Sequence, residues 1–308
     1  MRSVRIHEFG GPDVLKIEDV AIPAPAAGEV RLRVRAIGLN RTEVTFRTGR
    51  SAARPSLPSQ IGFEAAGEID AVGPNVAGFS RGDRVAVIPA YGAGDYGFYG
   101  ELSLAPARSL VRVPEGVTWQ DAAASWAAFA TAWAGLLHLA RLSEGQAVLI
   151  TAASSSVGLA AIQVARSVGA VPIALSRTRA KSEALRANGA AEVIATQDHD
   201  AEQDVAAEVM RLTEGRGAAA VFDAVAGPGF AHLVEAAAPG ATLVVYGGLG
   251  GATAAFPVMP MLGRSLTVRG FGLAAVTRDD ANLAALTRFV TDGLARGALR
   301  PVIAKIFP

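Results

Sequence analysis

The segment from Ala147 to Ala170 reads AVLITAASSSVGLAAIQVARSVGA. Its first four residues, Ala147–Ile150, are all apolar and predict a buried strand. Small residues follow, and an apolar pattern with helical spacing begins at about Val157. The segment therefore predicts a strand, a tight turn and a helix in direct succession.

The turn has the length of a dinucleotide-binding loop. Residues Ala153 to Gly158 read A-x-S-x-x-G where that loop reads G-x-G-x-x-G, so only the third glycine is present. Gly158 lets the helix pack close to the strand, and small side chains let backbone N–H groups approach a pyrophosphate. We expect a phosphate-bearing ligand here, with contacts from Ser155, Ser156, Val157 and Gly158. The alternative is an ordinary strand-to-helix turn.

The composition predicts a globular protein of about two domains. The chain has 308 residues, of which 51% are hydrophobic and 19% charged, and its net charge is +1. Lysines and arginines are dispersed, so the sequence offers no basic stripe for nucleic acid and no polybasic arm for a membrane. It also lacks a signal core at its start and an apolar run long enough to span a bilayer. We expect a cytoplasmic enzyme.

Cysteine and histidine content argues against a metal site. The chain has no cysteine, which excludes disulfides, a thiolate nucleophile and cysteine-ligated zinc. Its four histidines are scattered without metal-ligand spacing: His7, His138, His199 and His232. We expect surface or packing roles for all four.

The first 120 or so residues predict a small antiparallel, barrel-like domain. Residues Val30–Ala36 alternate strictly between apolar side chains and arginine, which is typical of a half-buried strand. Glycine and proline turns separate further short apolar runs at Val14–Ile17, Ala66–Val72 and Val85–Ile88. Asn40–Gly49 predicts a short helix closed by glycine. The loop from Tyr91 to Gly100 is expected to be exposed.

From about Asp121 the pattern changes to an alanine-rich helix with an aromatic stripe, which we expect to be core. Strands and helices then alternate, which predicts a doubly wound parallel sheet, in an α/β fold. The strands are expected at Ala147–Ile150, Ile173–Leu175, Glu192–Ala195, Ala219–Phe222, Ala241–Val245 and Ser265–Gly270, and the helices at Arg179–Asn188, Ala201–Thr213 and Gly229–Ala237. Ligands bind such sheets at the carboxyl ends of the strands. The residues expected there include Ser176, Ala224, Val225, Tyr246, Gly247, Gly248 and Phe271.

The residues after the second of these strands indicate which dinucleotide binds. An acidic residue there would select NAD through the ribose hydroxyls. The sequence instead reads Ser176-Arg177-Thr178-Arg179-Ala180-Lys181. The Ser176 hydroxyl, Arg177 and Lys181 suit a 2'-phosphate, and cations at a helix start are otherwise unfavourable. NADPH is favoured, and the alternative is that these are ordinary solvated charges.

Two motifs carry a family resemblance. Gly62–Gly67 reads GFEAAG and Ala152–Gly158 reads AASSSVG, after a β-rich first domain. The chain resembles the medium-chain dehydrogenase/reductase superfamily and is similar to its zinc-independent, zeta-crystallin-like quinone oxidoreductases. The resemblance implies a GroES-like catalytic domain at residues 1–122 and 273–308, a Rossmann NADPH-binding domain at residues 123–272, and a homodimer.

The resemblance also implies that the catalytic zinc is lost. Zinc-dependent members have a cysteine where this chain has Asn40, and a histidine where it has Phe63. Neither replacement can hold Zn²⁺. Zinc-assisted alcohol oxidation is therefore disfavoured, whereas a quinone or conjugated carbonyl can take a hydride and spread the charge onto oxygen.

The same resemblance suggests the site residues. It puts the amide of Asn40 near the nicotinamide and the substrate oxygen, and Thr131 at the nicotinamide end of the cofactor. Thr45 lies where related reductases carry a tyrosine. Tyr96 and Tyr99 are expected to pack or face solvent, and solvent is a possible proton source.

Glu64 is expected to support the site rather than act as a base. The predicted substrate is a small quinone or enone. An enoyl thioester, or a non-catalytic NADPH-binding role, stays an alternative.

Two expectations concern the end of the chain. Relatives continue with a further helix and strand after the position of Pro308, so we expect a missing C-terminal segment. Ser265–Arg269 forms an apolar strand at the end of the sheet, and we expect it to pair with its symmetry mate in a homodimer.

Overall fold

The fold was analysed in a computed structural model, which describes residues 1–51, 55–197 and 204–308. Contacts divide the chain into two compact units. The discontinuous unit comprises Met1–Ala130 and Leu273–Pro308, and the central unit comprises Thr131–Gly272. This division falls after Ala130, whereas the sequence places the boundary after residue 122.

The discontinuous unit is built from antiparallel strands. They are β1 (Arg2–Ile6), β2 (Lys16–Asp19), β3 (Glu29–Gly38), β4 (Ser59–Gln60), β5 (Glu64–Val72), β6 (Arg84–Val87), β7 (Leu102–Pro106) and β8 (Leu110–Arg112). They form a three-stranded sheet, β2-β1-β4, and a five-stranded sheet, β7-β3-β5-β6-β8. The expectation of an antiparallel, β-rich domain is confirmed.

Strand β3 shows why the alternating sequence was informative. Val30 and Leu32 are fully buried, and the intervening arginines reach outward to acidic partners on β5. Arg33 pairs with Asp70 at 2.9 Å and Arg35 with Glu68 at 3.0 Å. The strand is half-buried, as its pattern predicted.

Helix α1 (Arg41–Arg47) lies between β3 and β4, and helices α2 (Trp119–Ala123) and α3 (Trp126–Trp133) follow β8. Helix α1 begins after Asn40 and closes at Gly49, whose φ of 69° favours glycine. The aromatic stripe is core as expected, since Trp126 and Phe129 are buried. A π-helical segment, Ala134–Leu139, continues from α3.

The loop from Tyr91 to Gly100 is not simply exposed, so that expectation is wrong. Phe98 is fully buried, and the loop's tyrosines reach inward to partners distant in sequence. The hydroxyls of Tyr91, Tyr96 and Tyr99 bond to Phe63 O, Glu29 and Glu43, respectively. The glycine-rich composition indicated a turn, but could not show that its phenols have acceptors distant in sequence.

The central unit is a six-stranded parallel sheet. Its strands are β9 (Ala147–Ile150), β10 (Val171–Ser176), β11 (Glu192–Ala195), β12 (Ala218–Asp223), β13 (Ala237–Val245) and β14 (Thr267–Gly270). Their order is β11-β10-β9-β12-β13-β14, so the direction of winding reverses between β9 and β12. This order confirms the doubly wound Rossmann fold.

The helices of this unit are α4 (Ser156–Ser167), α5 (Ser182–Ala187), α6 (Val205–Leu212), α7 (Phe230–Ala236) and α8 (Val258–Gly263). The core brings strand residues such as Leu149 and Val221 against Val209 of α6 and Phe230 of α7. His199 and the expected start of α6 at Ala201 lie outside the described residues.

Strand β14 starts later than expected. Ser265 has a φ of 53° and its N–H bonds to Leu262 O, so it ends the turn after α8 rather than opening a strand. Strand β14 nevertheless lies at the edge of the sheet, as expected.

Two C-terminal helices, α9 (Leu273–Thr277) and α10 (Asp280–Ala295), belong to the discontinuous unit. Arg108 holds them, bonding to the carboxylate of Asp280 at 2.8 Å and to Thr277 O at 3.0 Å. In the described part of the chain, no helix combines the length and apolarity that a bilayer span requires.

Candidate functional site

The turn after β9 is shaped by Ser155 and Gly158. Ser155 caps α4, and its hydroxyl oxygen accepts the N–H of Gly158 at 3.1 Å. A Cβ at Gly158 would lie 2.6 Å from Ala152 O and from Ala153 Cα. Glycine is therefore required for this close approach of helix and strand, as the sequence indicated. Ser156 is exposed and Val157 half-buried at the start of the helix.

A cation from the next strand-to-helix connection reaches this turn. The ammonium of Lys181 donates to the hydroxyl of Ser154 at 3.1 Å. Ser176 ends β10 and is buried, and Arg177 follows it as an exposed side chain. The structure therefore brings Lys181 to the turn, which spacing alone could only suggest.

The ends of β12 and β13 form a second pair of turns. Fully buried Asp223 accepts the Thr151 hydroxyl at 2.7 Å and the N–H groups of Val225 and Ala226 at 2.9 Å. This fixes the turn after β12 against β9. The turn after β13 packs on it, because a Cβ at Gly247 would lie 2.7 Å from Ala224 O.

Tyr246 carries a buried phenol whose hydroxyl lacks a well-formed hydrogen bond. Its ring stacks on Phe222 with centroids 4.2 Å apart. Burial raises the pKa of Tyr246, and Asp223 adds to this, while the Ser155 hydroxyl partly offsets it. An incompletely bonded phenol beside two glycine-lined turns fits a polar ligand such as a dinucleotide.

The remaining expected contacts of this unit are dispersed along it. Gly248 is exposed after β13, and the N–H of Phe271 bonds to Val245 O at 3.3 Å just beyond β14. Thr131 lies half-buried in α3.

The discontinuous unit contains a buried polar cluster around Asn40. The Asn40 amide nitrogen, Nδ2, donates to Glu64 Oε1 at 2.9 Å and to Gly38 O at 3.3 Å. Glu64 Oε2 accepts the N–H of Ala127 at 2.7 Å. The donor end of Asn40, expected to face a substrate oxygen, is thus directed at protein acceptors in this structure.

A second buried acid supports the same residue from α1. Glu43 forms a capping box with Asn40, accepting its backbone N–H at 2.8 Å. It also accepts the hydroxyl of Tyr99 at 2.6 Å and the N–H of Phe63 at 3.1 Å. The segment before α1 and the start of β5 are thereby fixed to one carboxylate.

Burial changes the acidity of both carboxyl groups. Desolvation raises the pKa of Glu64 to about 7, although the N–H of Ala127 and the amide of Asn40 act against it, and Glu43 raises it further. Desolvation also raises the pKa of Glu43. Near neutral pH, Glu64 can therefore exist in either protonation state.

Thr45 and Phe63 both contact residues of helix α1. The Thr45 hydroxyl donates to Thr42 O within its own helix at 2.8 Å. Phe63 packs edge-on against Phe46, with ring centroids 5.8 Å apart. Among residues 1–51, 55–197 and 204–308, no group of three or more acidic or histidine side chains could together hold a metal ion.

Sequence reasoning missed how Glu43, Tyr99 and Glu64 work together. The available signal was an acidic residue, Glu64, within the otherwise apolar segment Ile61–Ala66. A carboxyl in such a segment is buried and needs donors, but their identity depends on tertiary contacts.

Comparison with known proteins now identifies the family. A model of the alcohol dehydrogenase GroES-like domain matches residues 26–115, and a zinc-binding dehydrogenase model matches residues 156–290. Human quinone oxidoreductase is 30% identical over 309 residues, spanning 100% of this chain and 90% of that protein. The chain belongs to the quinone oxidoreductase family of medium-chain dehydrogenases/reductases. It is an oxidoreductase.

Two solved structures are similar to this chain over nearly its whole length. Escherichia coli quinone oxidoreductase complexed with NADPH has a TM-score of 0.88 and 25% identity, covering 99% of this chain and 91% of that one. The CurK enoyl reductase has a TM-score of 0.85 and 26% identity, covering 100% of this chain and 92% of that one. The chain is therefore similar in structure to enzymes whose names refer to different acceptors.

Proposed function

We propose that this oxidoreductase uses NADPH to reduce a quinone or an α,β-unsaturated carbonyl, without zinc. The observation that carries the proposal is the contact of Lys181 with Ser154 on the turn before α4. An ammonium at a dinucleotide turn favours a cofactor with an additional phosphate.

The residues that we propose to bind NADPH lie mainly in turns and at the ends of strands. Ser155, Ser156, Val157 and Gly158 would hold the pyrophosphate, and Ser176, Arg177 and Lys181 would meet the 2'-phosphate. The nicotinamide half would contact Asn40, Thr131, Ala224, Val225, Tyr246, Gly247, Gly248 and Phe271. The E. coli relative with the same fold is complexed with NADPH, which supports this choice.

Zinc independence is proposed from the chemistry of two side chains. Phe63 has no donor atom for a metal and its ring packs on Phe46. The amide nitrogen of Asn40 is bonded to Glu64 and Gly38 O. These residues would not provide the ligands that tetrahedral zinc requires, although one matching domain model is named after zinc binding.

The proposed chemistry needs little from the protein beyond positioning. Bound NADPH would supply the hydride. Asn40 would orient the substrate. The Thr45 hydroxyl donates to Thr42 O, so its oxygen would be able to accept a hydrogen bond. Solvent would provide the final proton. We also propose a cytoplasmic homodimer.

An enoyl thioester is the second candidate acceptor. The similarity to an enoyl reductase over the full chain favours keeping it. Reduction of the conjugated double bond of an enoyl thioester would use the same hydride donor, so only the acceptor distinguishes the two functions.

The test is the initial rate of NADPH consumption with excess chelator, using a quinone, a simple enone and an enoyl thioester, with NADH as the control cofactor. We expect chelator-insensitive turnover of the quinone or enone, with NADPH preferred. Turnover of the thioester alone would favour the second candidate. No turnover despite tight NADPH binding would contradict both and indicate a non-catalytic role.

A further inference from the structure

The starting observation is the hydrogen bonding of a buried acid. Glu64 is 3% exposed and both its oxygens accept N–H groups, one from Asn40 and one from Ala127. An ionised carboxylate can only accept. The amide of Asn40 must therefore present its nitrogen to Glu64 while Glu64 is charged.

This geometry determines what Asn40 can offer a ligand. Its two N–H hydrogens are directed at Glu64 and Gly38 O, so its remaining polar atom is the carbonyl oxygen, Oδ1. An amide oxygen has two lone pairs, so capping α1 leaves one available. With Glu64 ionised, Asn40 can only accept a hydrogen bond from a ligand.

We infer, on the basis of the proposed function, that Glu64 is a positioning residue whose proton sets the orientation of the Asn40 amide and thereby decides whether Asn40 accepts from or donates to a ligand. A proton on Oε1 makes Glu64 a donor toward Asn40. The amide then rotates by half a turn so that Oδ1 accepts this O–H, which gives up the bond of Nδ2 to Gly38 O and the bond of Oδ1 to the N–H of Glu43. Its NH₂ group becomes available to the oxygen of the acceptor.

The protonated form suits reduction better. Hydride transfer to a quinone or enone leaves negative charge on oxygen, which an N–H donor stabilises. Reduction should therefore be fastest with Glu64 protonated and should slow as Glu64 ionises. Because burial brings the pKa of Glu64 to about 7, both forms are accessible near neutral pH.

Other titratable groups surround this pair. Glu43 on α1 raises the pKa of Glu64, and the phenols of Tyr91 and Tyr99 come from the loop before β7. Burial raises the pKa of both phenols, with the two glutamates adding to the effect, so they stay protonated across the neutral range. Glu64 and Glu43 are therefore the groups whose titration can change this cluster.

The test observes the Asn40 side-chain amide directly. The full-length ¹⁵N-labelled protein is titrated between pH 5 and pH 9, and the Asn40 NH₂ signals are assigned by their loss in Asn40→Ala. We expect these signals to shift with a midpoint near the pKa of Glu64, about 7. In Glu64→Gln the shift with this midpoint should be lost, and any shift that remains should disappear on further replacement of Glu43 by Gln. Glu68→Gln is the matched control, because Glu68 lies on the same strand, exposed and paired with Arg35.

The second arm measures kcat against pH with NADPH and a quinone. Above the pKa, kcat of the wild type and of Glu68→Gln should fall about tenfold per pH unit. Glu64→Gln should lose this fall, and Glu64→Gln should have no added effect on kcat in an Asn40→Ala background. Asn40 signals that do not titrate, or that titrate with the same midpoint in Glu64→Gln, would overturn the inference. A wild type that consumes no NADPH would instead overturn the proposed function, which the NMR arm does not require.

Discussion

Gly38 shows how a missing methyl group makes room for a buried acid. A Cβ at this position would lie 2.4 Å from Glu64 Oε1 and 2.3 Å from Ala123 O. Its φ is not in the left-handed region, so space rather than backbone conformation requires glycine here. Single-residue features of this kind decide whether a carboxylate reaches its donors.

Lys181 and Arg177 are expected to contact the 2'-phosphate of NADPH. Replacing either with alanine should raise the KM for NADPH by about tenfold and leave that for NADH nearly unchanged, because a charge-assisted contact to the 2'-phosphate is lost. Initial rates with both cofactors measure this. Arg186→Ala is the control, since Arg186 is exposed and paired with Glu192. Equal changes for both cofactors would contradict the phosphate pocket.

The structural elements differ in how well sequence predicts them. Strand β9 matches its expected bounds because a short apolar run between turn signals has few other solutions. Helix α10 was not expected, although its buried Leu286 and Val290 follow helical spacing. The site shows a similar limit: sequence indicated the turn before α4, whereas the Asn40–Glu64–Glu43 cluster depends on residues from α1, β5 and α3.

Strand β14 and helix α8 are expected to form the dimer surface. Strand β14 is at the sheet edge, and the preceding α8 exposes Met259 by 75% and Leu262 by 68%. Exposed apolar side chains beside an unpaired edge favour a self-association surface. We expect Met259→Glu combined with Leu262→Glu to shift a dimer to monomer in sedimentation velocity.

The control for that experiment is Ile17→Glu on β2, where the isoleucine is 74% exposed in the other unit. It should leave the dimer intact. A wild-type protein that sediments only as a monomer would contradict the dimer itself.

At the scale of the whole molecule, two buried acids make folding sensitive to pH. The pKa of Glu64 rises from an ordinary 4.5 to about 7, and that of Glu43 is raised too. The folded chain therefore binds protons more tightly than the unfolded chain. The stabilisation that comes from the raised pKa of Glu64 is present below about pH 4.5 and is lost as pH rises through about 7.

We therefore expect the free energy of unfolding to fall between pH 5 and pH 7.5, by at most about 3 kcal/mol from Glu64. Urea unfolding at a series of pH values measures this. Glu64→Gln should flatten the dependence, whereas Glu68→Gln should keep it. A wild-type profile that rises over this range would contradict a raised pKa for Glu64 in the folded chain.

The discontinuous unit has a consequence for synthesis on the ribosome. Its two parts are separated in the chain by the whole central unit. Asp280, the partner of Arg108, is synthesised 172 residues after it. The central unit is continuous, so all of it is synthesised before α9 and α10. The first part of the discontinuous unit lacks α9 and α10 until the central unit has been synthesised. During that interval, the surface that these helices later cover is open to chaperones or to premature association.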